Sequence, residues 1–511
     1  MTSSSKSHTS GIRPDTLLAS VAVLLAVNVV QRSIGFGRGV LFCRWLDPEA
    51  LGQWDMAYGF LLLAAPIVVL GLPGCFGRYL ERYRGRGQLR TFLVRTCVWT
   101  GTLTFLAVSV LLLSRRPLAH LVFGDPAESL LLAVATVTLA MVILHHFLEA
   151  VFAGLRLFRV VSFMQFAQSM LFAVTSLMLL ALWRADAWSI VVGYGAACLL
   201  SSIGVLMWSR RLMRGSACDS ESVAHREFWP PLLKFAAWVW VANVLANLFS
   251  VIDRYMIVHY SGLPADEALT LVGYYHTSML VPILLISVAN LLAGAMTPHL
   301  SHDWEAGQRA SVAARINLTF KLTSLAMFAA GIGVLLFTPT LFHLAFGGKY
   351  DDGLLVLPWA LASCVWFSLL LVSQTYVWCA EKTRRAALPL AVGLVGNVLL
   401  NLLLLPRLGL QGAVIATALA TLLALVMQLL VNRQLGMKLS IGTLLASLTP
   451  FGLSLSAPLA IASGSLLVFI TLFTPWFLDR EERREIVDLL RSRLLKLTSA
   501  AALTGQGKHA S

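Results

Sequence analysis

Residues 128–159 read ESLLLAVATVTLAMVILHHFLEAVFAGLRLFR. From Leu130 to Phe147 there is no Asp, Glu, Lys or Arg, and the run closes on Arg156 and Arg159. A hydrocarbon core is crossed by about 20 apolar residues in a helix, because in lipid every backbone polar group must find its partner inside its own segment. The same reading applies over most of the chain. Spans are predicted at 16–42, 55–76, 91–114, 128–151, 160–183, 188–208, 232–259, 271–297, 316–339, 354–380, 386–405, 410–431, 441–457 and 460–477. The last two are short, and one long kinked or re-entrant segment over 441–477 is the rival reading.

Composition agrees with lipid as the solvent. The 511 residues are 58% apolar and only 13% charged, where a soluble domain carries roughly 25% charge. Mean hydropathy is +0.78. The net charge of +14 does not read as a nucleic-acid surface, because its distribution is periodic. Arg78, Arg82, Arg84, Arg86 and Arg90 follow the second span, Arg210, Arg211, Arg214 and Arg226 the sixth, and Lys382, Arg384 and Arg385 the tenth. The odd-numbered connections hold few basic residues, among them Arg44, Arg184 and Lys349. This is the positive-inside pattern of a multi-pass protein with both ends cytoplasmic, and the basic loops suit anionic membrane lipids. Thr16–Phe42 is too long for a cleaved signal and reads as the first span. Seven cysteines show neither metal nor disulfide spacing. His145 and His146, adjacent on a helix, point about 100° apart and make a poor chelate.

The chain repeats itself weakly with a shift of about 222 residues. LAHLVFG at 118–124 returns as LFHLAFG at 341–347, and Leu51-Gly52-Gln53-Trp54 returns as Val272-Gly273-Tyr274-Tyr275. Parallel repeats offset by six spans predict two pseudo-symmetric six-helix lobes about an axis along the membrane normal. The expected division is a cytoplasmic tail over 1–15, an N-lobe over 16–220, a C-lobe over 221–435, two further helices over 436–478, and an amphipathic cytoplasmic helix with a disordered tail over 479–511. The fold class is therefore all-α integral membrane with about fourteen spans.

Charges inside such spans are costly and face a cavity or a partner. Arg32 and Arg38 lie in the first span, and Asp253 and Arg254 in the seventh. Arg32 precedes Gly52 by 20 residues and Arg254 precedes Gly273 by 19, so the two arginines are repeat equivalents. Guanidinium forks favour phosphate and stay charged at any relevant pH. Arg32, Arg254 and Arg38 are thus candidate cavity residues for an anionic substrate; the alternatives are pairing of Arg254 with Asp253 or another carboxylate to staple helices, and snorkelling of Arg38 to the outer interface. Asn397 and Asn401, four apart on one face, could bond sugar hydroxyls or join helices. Asp253 is the leading candidate for ion coupling, with Asp55 and Glu149 nearer to span ends. Lys321 and Arg78 could line the inner mouth, but solvated loop positions are the better reading. No metal site is expected, and the short outside loops hold no catalytic domain, so the chain does not read as an enzyme.

The opening Arg32-…-Gly35-Phe36-Gly37-Arg38-…-Leu46-Asp47-Pro48-Glu49-…-Leu51-Gly52 resembles polysaccharide transporters of the Wzx type, within the multidrug/oligosaccharidyl-lipid/polysaccharide (MOP) exporter superfamily. Asp253-Arg254-Tyr255, Glu381-Lys382-Thr383 and Asn397-…-Asn401-…-Leu405-Pro406-…-Gly409 are similar to the second half of that family. The resemblance implies a flippase for undecaprenyl-diphosphate-linked oligosaccharide in O-antigen, capsule or exopolysaccharide synthesis. It further implies alternating access between two lobes, no cofactor beyond H+ or Na+ coupling, residence in the bacterial cytoplasmic membrane, and a polysaccharide polymerase and glycosyltransferases as partners. The alternatives are a lipid II flippase, a MATE-type drug/cation antiporter and, from another class, a membrane-embedded glycan polymerase or ligase.

Overall fold

Helix is the only backbone solution that the apolar runs allow, and no strand occurs among the described residues. The computed structural model describes residues 17–213 and 224–484. The N-terminal tail, and the expected amphipathic helix beyond residue 484, lie outside the described residues.

In chain order the helices are α1 (Leu17–Trp45), α2 (Pro48–Val69), α3 (Phe76–Gly85), α4 (Leu89–Leu113), α5 (Arg115–Phe123), α6 (Ser129–Gly154), α7 (Phe158–Leu182) and α8 (Ala187–Met213). Then come α9 (His225–Tyr260), α10 (Ala265–Glu305), α11 (Arg309–Phe346), α12 (Leu357–Cys379), α13 (Thr383–Gln434), α14 (Ile441–Leu448), α15 (Phe451–Leu455) and α16 (Ala457–Phe473). Ten of these are long and apolar enough to cross a membrane. Among them α13 has 52 residues, about 78 Å of helix at 1.5 Å per residue, far more than one bilayer core. It is broken at Gly409, whose φ of 56° and ψ of −137° lie outside the helical region. Its two halves are the predicted eleventh and twelfth spans. Counting them separately, and adding α1 and the two shorter apolar helices over 441–454 and 457–473, gives fourteen apolar helical segments, the number predicted.

The region 441–477 is not one long helix. The chain breaks near Pro450 and turns at Ser456, and α16 packs back on α15, where Gly452 sits against Ser463. Two short helices, α3 and α5, were not foreseen; both lie in connections read from sequence as loops.

The chain forms two compact units. Among the described residues the first comprises 17–213, 224–284, 341–356 and 394–417, and the second 285–340, 357–393 and 418–484. Within the first, α7 packs on α8 and α1, and α2 is enclosed by α6, α8 and α9. α4 instead presents Phe105, Leu106, Val110 and Leu113 outward. Such an apolar face suits acyl chains and would be a liability in water.

One helix crossing in the first unit fixes the frame. A Cβ on Gly52 of α2 would lie 1.9 Å from the Leu269 carbonyl oxygen, and one on Gly273 of α10 would lie 2.0 Å from that of Pro48. The two helices therefore touch backbone to backbone, which only small residues permit. These are the two glycines that the internal repeat places in register.

Candidate functional site

The crossing of α2 and α10 brings the intramembrane charges into register. Three residues beyond each glycine stand Asp55 and His276, which are repeat equivalents in their turn. They meet: His276 donates from Nδ1 to Asp55 Oδ1 at 2.8 Å. Arg254, from α9, donates from Nε to the other carboxylate oxygen, Asp55 Oδ2, and from Nη1 to the Ser250 carbonyl at 2.6 Å. Asp55 is buried. Its carboxylate is thus committed to structure, which argues against a role as a free ion-coupling group at a span end.

Asp253 is the next residue on α9, so its side chain leaves the helix about 100° away. It too is buried. Its Oδ1 accepts from Asn397 Nδ2 at 2.8 Å and Asn401 Nδ2 at 3.2 Å, and its Oδ2 accepts from the Tyr275 hydroxyl at 3.2 Å. Asn401 also donates to Asn397 Oδ1 at 2.8 Å. Thr417 adds a further hydrogen bond to the carboxylate. Of the two roles open to Asn397 and Asn401, the geometry favours joining helices over bonding sugar hydroxyls. Both are fully buried and turn their amides toward Asp253, because an enclosed carboxylate needs donors. The cluster keeps one unsatisfied acceptor, Asn401 Oδ1, which is buried without a hydrogen-bond partner.

Tyr275 joins the two clusters. Its hydroxyl serves Asp253, while the Arg254 guanidinium lies 5.4 Å from its ring centroid.

Arg32 and Arg38, on α1, belong to the same neighbourhood. Tyr58 of α2 lies within electrostatic reach of Arg38, Arg254, Asp55 and Arg32. Arg32 is exposed and Arg38 half-buried. Among the described residues neither forms an ion pair with a carboxylate. Arg38 instead rests on the Phe172 ring, 3.9 Å from its centroid. Stacking of this kind keeps a guanidinium in place without neutralising it.

Glu149 stands apart. It accepts from Gln165 of α7 and from His146 Nδ1 at 3.3 Å, while the neighbouring His145 bonds Ser201 at 3.0 Å. Lys321, read from sequence as solvated, is fully buried, and its Nζ lies 2.8 Å from both carboxylate oxygens of Glu482.

Sequence reasoning missed His276, Tyr58 and the bridging place of Tyr275. Carrying the repeat three residues past Gly52 and Gly273 would have found the first. Tyr58 has no such mark, because its partners come from three other helices, α1, α8 and α9.

Residues 17–303, more than half of the chain, match the family described as polysaccharide biosynthesis protein. The chain belongs to that family. It is 20% identical over 446 residues to the lipid II flippase MurJ of Bacillus subtilis (strain 168), covering 80% of this chain and 81% of that one. Among solved structures, a lipid II flippase MurJ in an inward closed conformation is similar with a TM-score of 0.67 at 13% identity, over 88% of this chain and 98% of that one. An inward-facing multidrug resistance MATE family transporter of the MOP superfamily follows at 0.62, with 13% identity and coverage of 81% and 97%. The fold of this family member is therefore that of the MOP exporters, and the chain is a multi-pass membrane protein.

Proposed function

We propose that this chain is a flippase that carries an undecaprenyl-diphosphate-linked oligosaccharide across the bacterial cytoplasmic membrane, for O-antigen, capsule or exopolysaccharide synthesis. One observation carries the reading. Three guanidiniums and one carboxylate lie within electrostatic reach of Tyr58, and the carboxylate is already bonded to Arg254. Two positive charges remain over, on Arg32 and Arg38. A diphosphate bridging a lipid and a sugar presents one negative charge on each phosphate, so it matches that surplus, and guanidinium forks match its oxygens. The same surplus disfavours a cationic drug. Translocation follows by alternating exposure of the site to the two sides, with both termini cytoplasmic. Both carboxylates described at this site, Asp55 and Asp253, are already engaged in hydrogen bonds, which favours transport over polymerase or ligase chemistry.

The Asp253 cluster is proposed as the coupling-ion site. It gathers carboxylate, amide and hydroxyl oxygens in an enclosed place, and the orphaned Asn401 Oδ1 has lone pairs to give. Hard oxygen donors of this kind suit Na+, and the carboxylate alone suits a proton.

The test is export of surface glycan in a cell that depends on this protein. Arg32→Ala and Arg38→Ala each remove one charged hydrogen-bonding group and should cut export about tenfold or more. Full export by both variants rejects the phosphate-binding reading. A lipid II flippase is the runner-up, favoured by the extent of the match to MurJ. Rescue of cells depleted of their own lipid II flippase would select it.

A further inference from the structure

α2 is enclosed through its middle. From Trp54 to Leu61 every residue is buried except Tyr58, which is 38% exposed. A helix that faces lipid exposes a stripe of residues three and four apart. Here three of the four residues one turn away, Trp54, Asp55 and Leu61, are buried, and the fourth, Leu62, is half-buried. An isolated opening in an enclosed stretch means that the helix borders a hollow at that point.

The wall beside Tyr58 is aromatic. Ring centroids of Tyr58 and Trp54 are 5.6 Å apart, those of Tyr58 and Tyr194 5.9 Å, and those of Tyr194 and Phe172 4.9 Å. Tyr194, on α8, is half-buried. Arg38 lies on the Phe172 ring, within electrostatic reach of both tyrosines. Packing alone would explain a closed cluster of rings under an arginine. It does not explain why the two members with hydroxyl groups are the ones left open, beside a guanidinium that, among the described residues, no carboxylate neutralises.

Rings alone suit an apolar ligand, and guanidiniums alone suit phosphate. Their juxtaposition suits a ligand whose phosphate adjoins a body with one apolar face and a hydroxylated rim. A pyranose joined to a diphosphate has that form: its C–H face meets the negative face of an aromatic ring, and its hydroxyls meet tyrosine oxygens. Resting on the flippase reading above, the geometry points to Tyr58 and Tyr194 as the stacking subsite for the sugar next to the diphosphate, with Arg38 holding the adjoining phosphate.

The experiment measures binding to the purified full-length protein. The probes are bare undecaprenyl diphosphate and undecaprenyl diphosphate carrying one glucose, galactose or N-acetylglucosamine. The wild type should prefer at least one sugar-bearing lipid by about tenfold. Tyr58→Ala and Tyr194→Ala should bring that ratio near unity, while affinity for the bare lipid stays within about twofold. Tyr58→Leu, which keeps apolar bulk without a ring, serves if alanine impairs folding. Arg38→Ala should weaken bare and sugar-bearing lipids alike. A wild type without preference among the four lipids, or tyrosine variants that keep the preference, overturns the subsite alone. A wild type that binds none of them overturns the flippase reading and the subsite together.

Discussion

Arg38 and Arg254 carry the same charge into opposite settings. Arg254 is locked to Asp55, so Arg254→Ala would strand a buried carboxylate with only His276 beside it. Breaking one side of a buried pair costs about 3–5 kcal/mol, and this variant should lose folded protein before it loses specificity, as a thermal melt in detergent would register. Arg38 is held by a ring, and its charge is unspent. Arg38→Lys keeps that charge but gives up planar stacking and the forked donors. Glycan export should fall about tenfold while the melting temperature stays close to wild type; unchanged export would mean that a point charge suffices. Asp253 calls for a different measurement. Asp253→Asn should preserve packing yet make transport in proteoliposomes insensitive to the Na+ or proton gradient. Tyr275→Phe removes the hydroxyl that reaches Asp253 and keeps the ring beneath Arg254, so it should weaken gradient dependence and leave binding of the bare lipid intact.

Elements were the most legible level, because bilayer thickness dictates their length. Fourteen apolar runs and a periodic distribution of arginines suffice to draw the helices, and the break at Gly409 falls between two predicted spans. Partners were less legible. Asp55 meets Arg254 across 199 positions and His276 across 221, and only helix packing brings such residues together. Lys321 looked solvated because its partner, Glu482, is 161 residues away in a stretch that reads as a charged tail. Two glycines separate the ways in which an element can fail. A Cβ on Gly409 meets nothing within 4 Å, but its positive φ is one that side chains rarely adopt. Gly409→Ala should therefore cost about 1–3 kcal/mol of backbone strain, seen as a lower melting temperature with folded protein still recovered. Gly52→Ala instead drives a methyl into a carbonyl oxygen of α10. The helices must separate, and both the melting temperature and the monodisperse yield in size-exclusion chromatography should fall more than for Gly409→Ala.

For the molecule as a whole, the end of the described chain is part of the fold and not an appendage. Phe477 is fully buried, Arg483 donates to the carbonyls of Leu472, Thr474 and Leu478, and Glu482 reaches the fully enclosed Lys321. Glu482→Gln should lower thermal stability by a large part of the 3–5 kcal/mol that an orphaned buried charge costs. The double variant with Lys321→Met, which removes both charges, should recover much of the loss, and a purely additive double variant would contradict the pairing.

The contact between Gly52 and Gly273 has a genealogical consequence. A tandem copy normally lets each half drift, since an error in one leaves its counterpart intact. Where counterparts sit in one crossing that insurance is void: either lesion forces the same two helices apart, and a second adds little new harm. G52A/G273A should thus be no less stable than the worse single change, a sub-additivity that separate sites do not show.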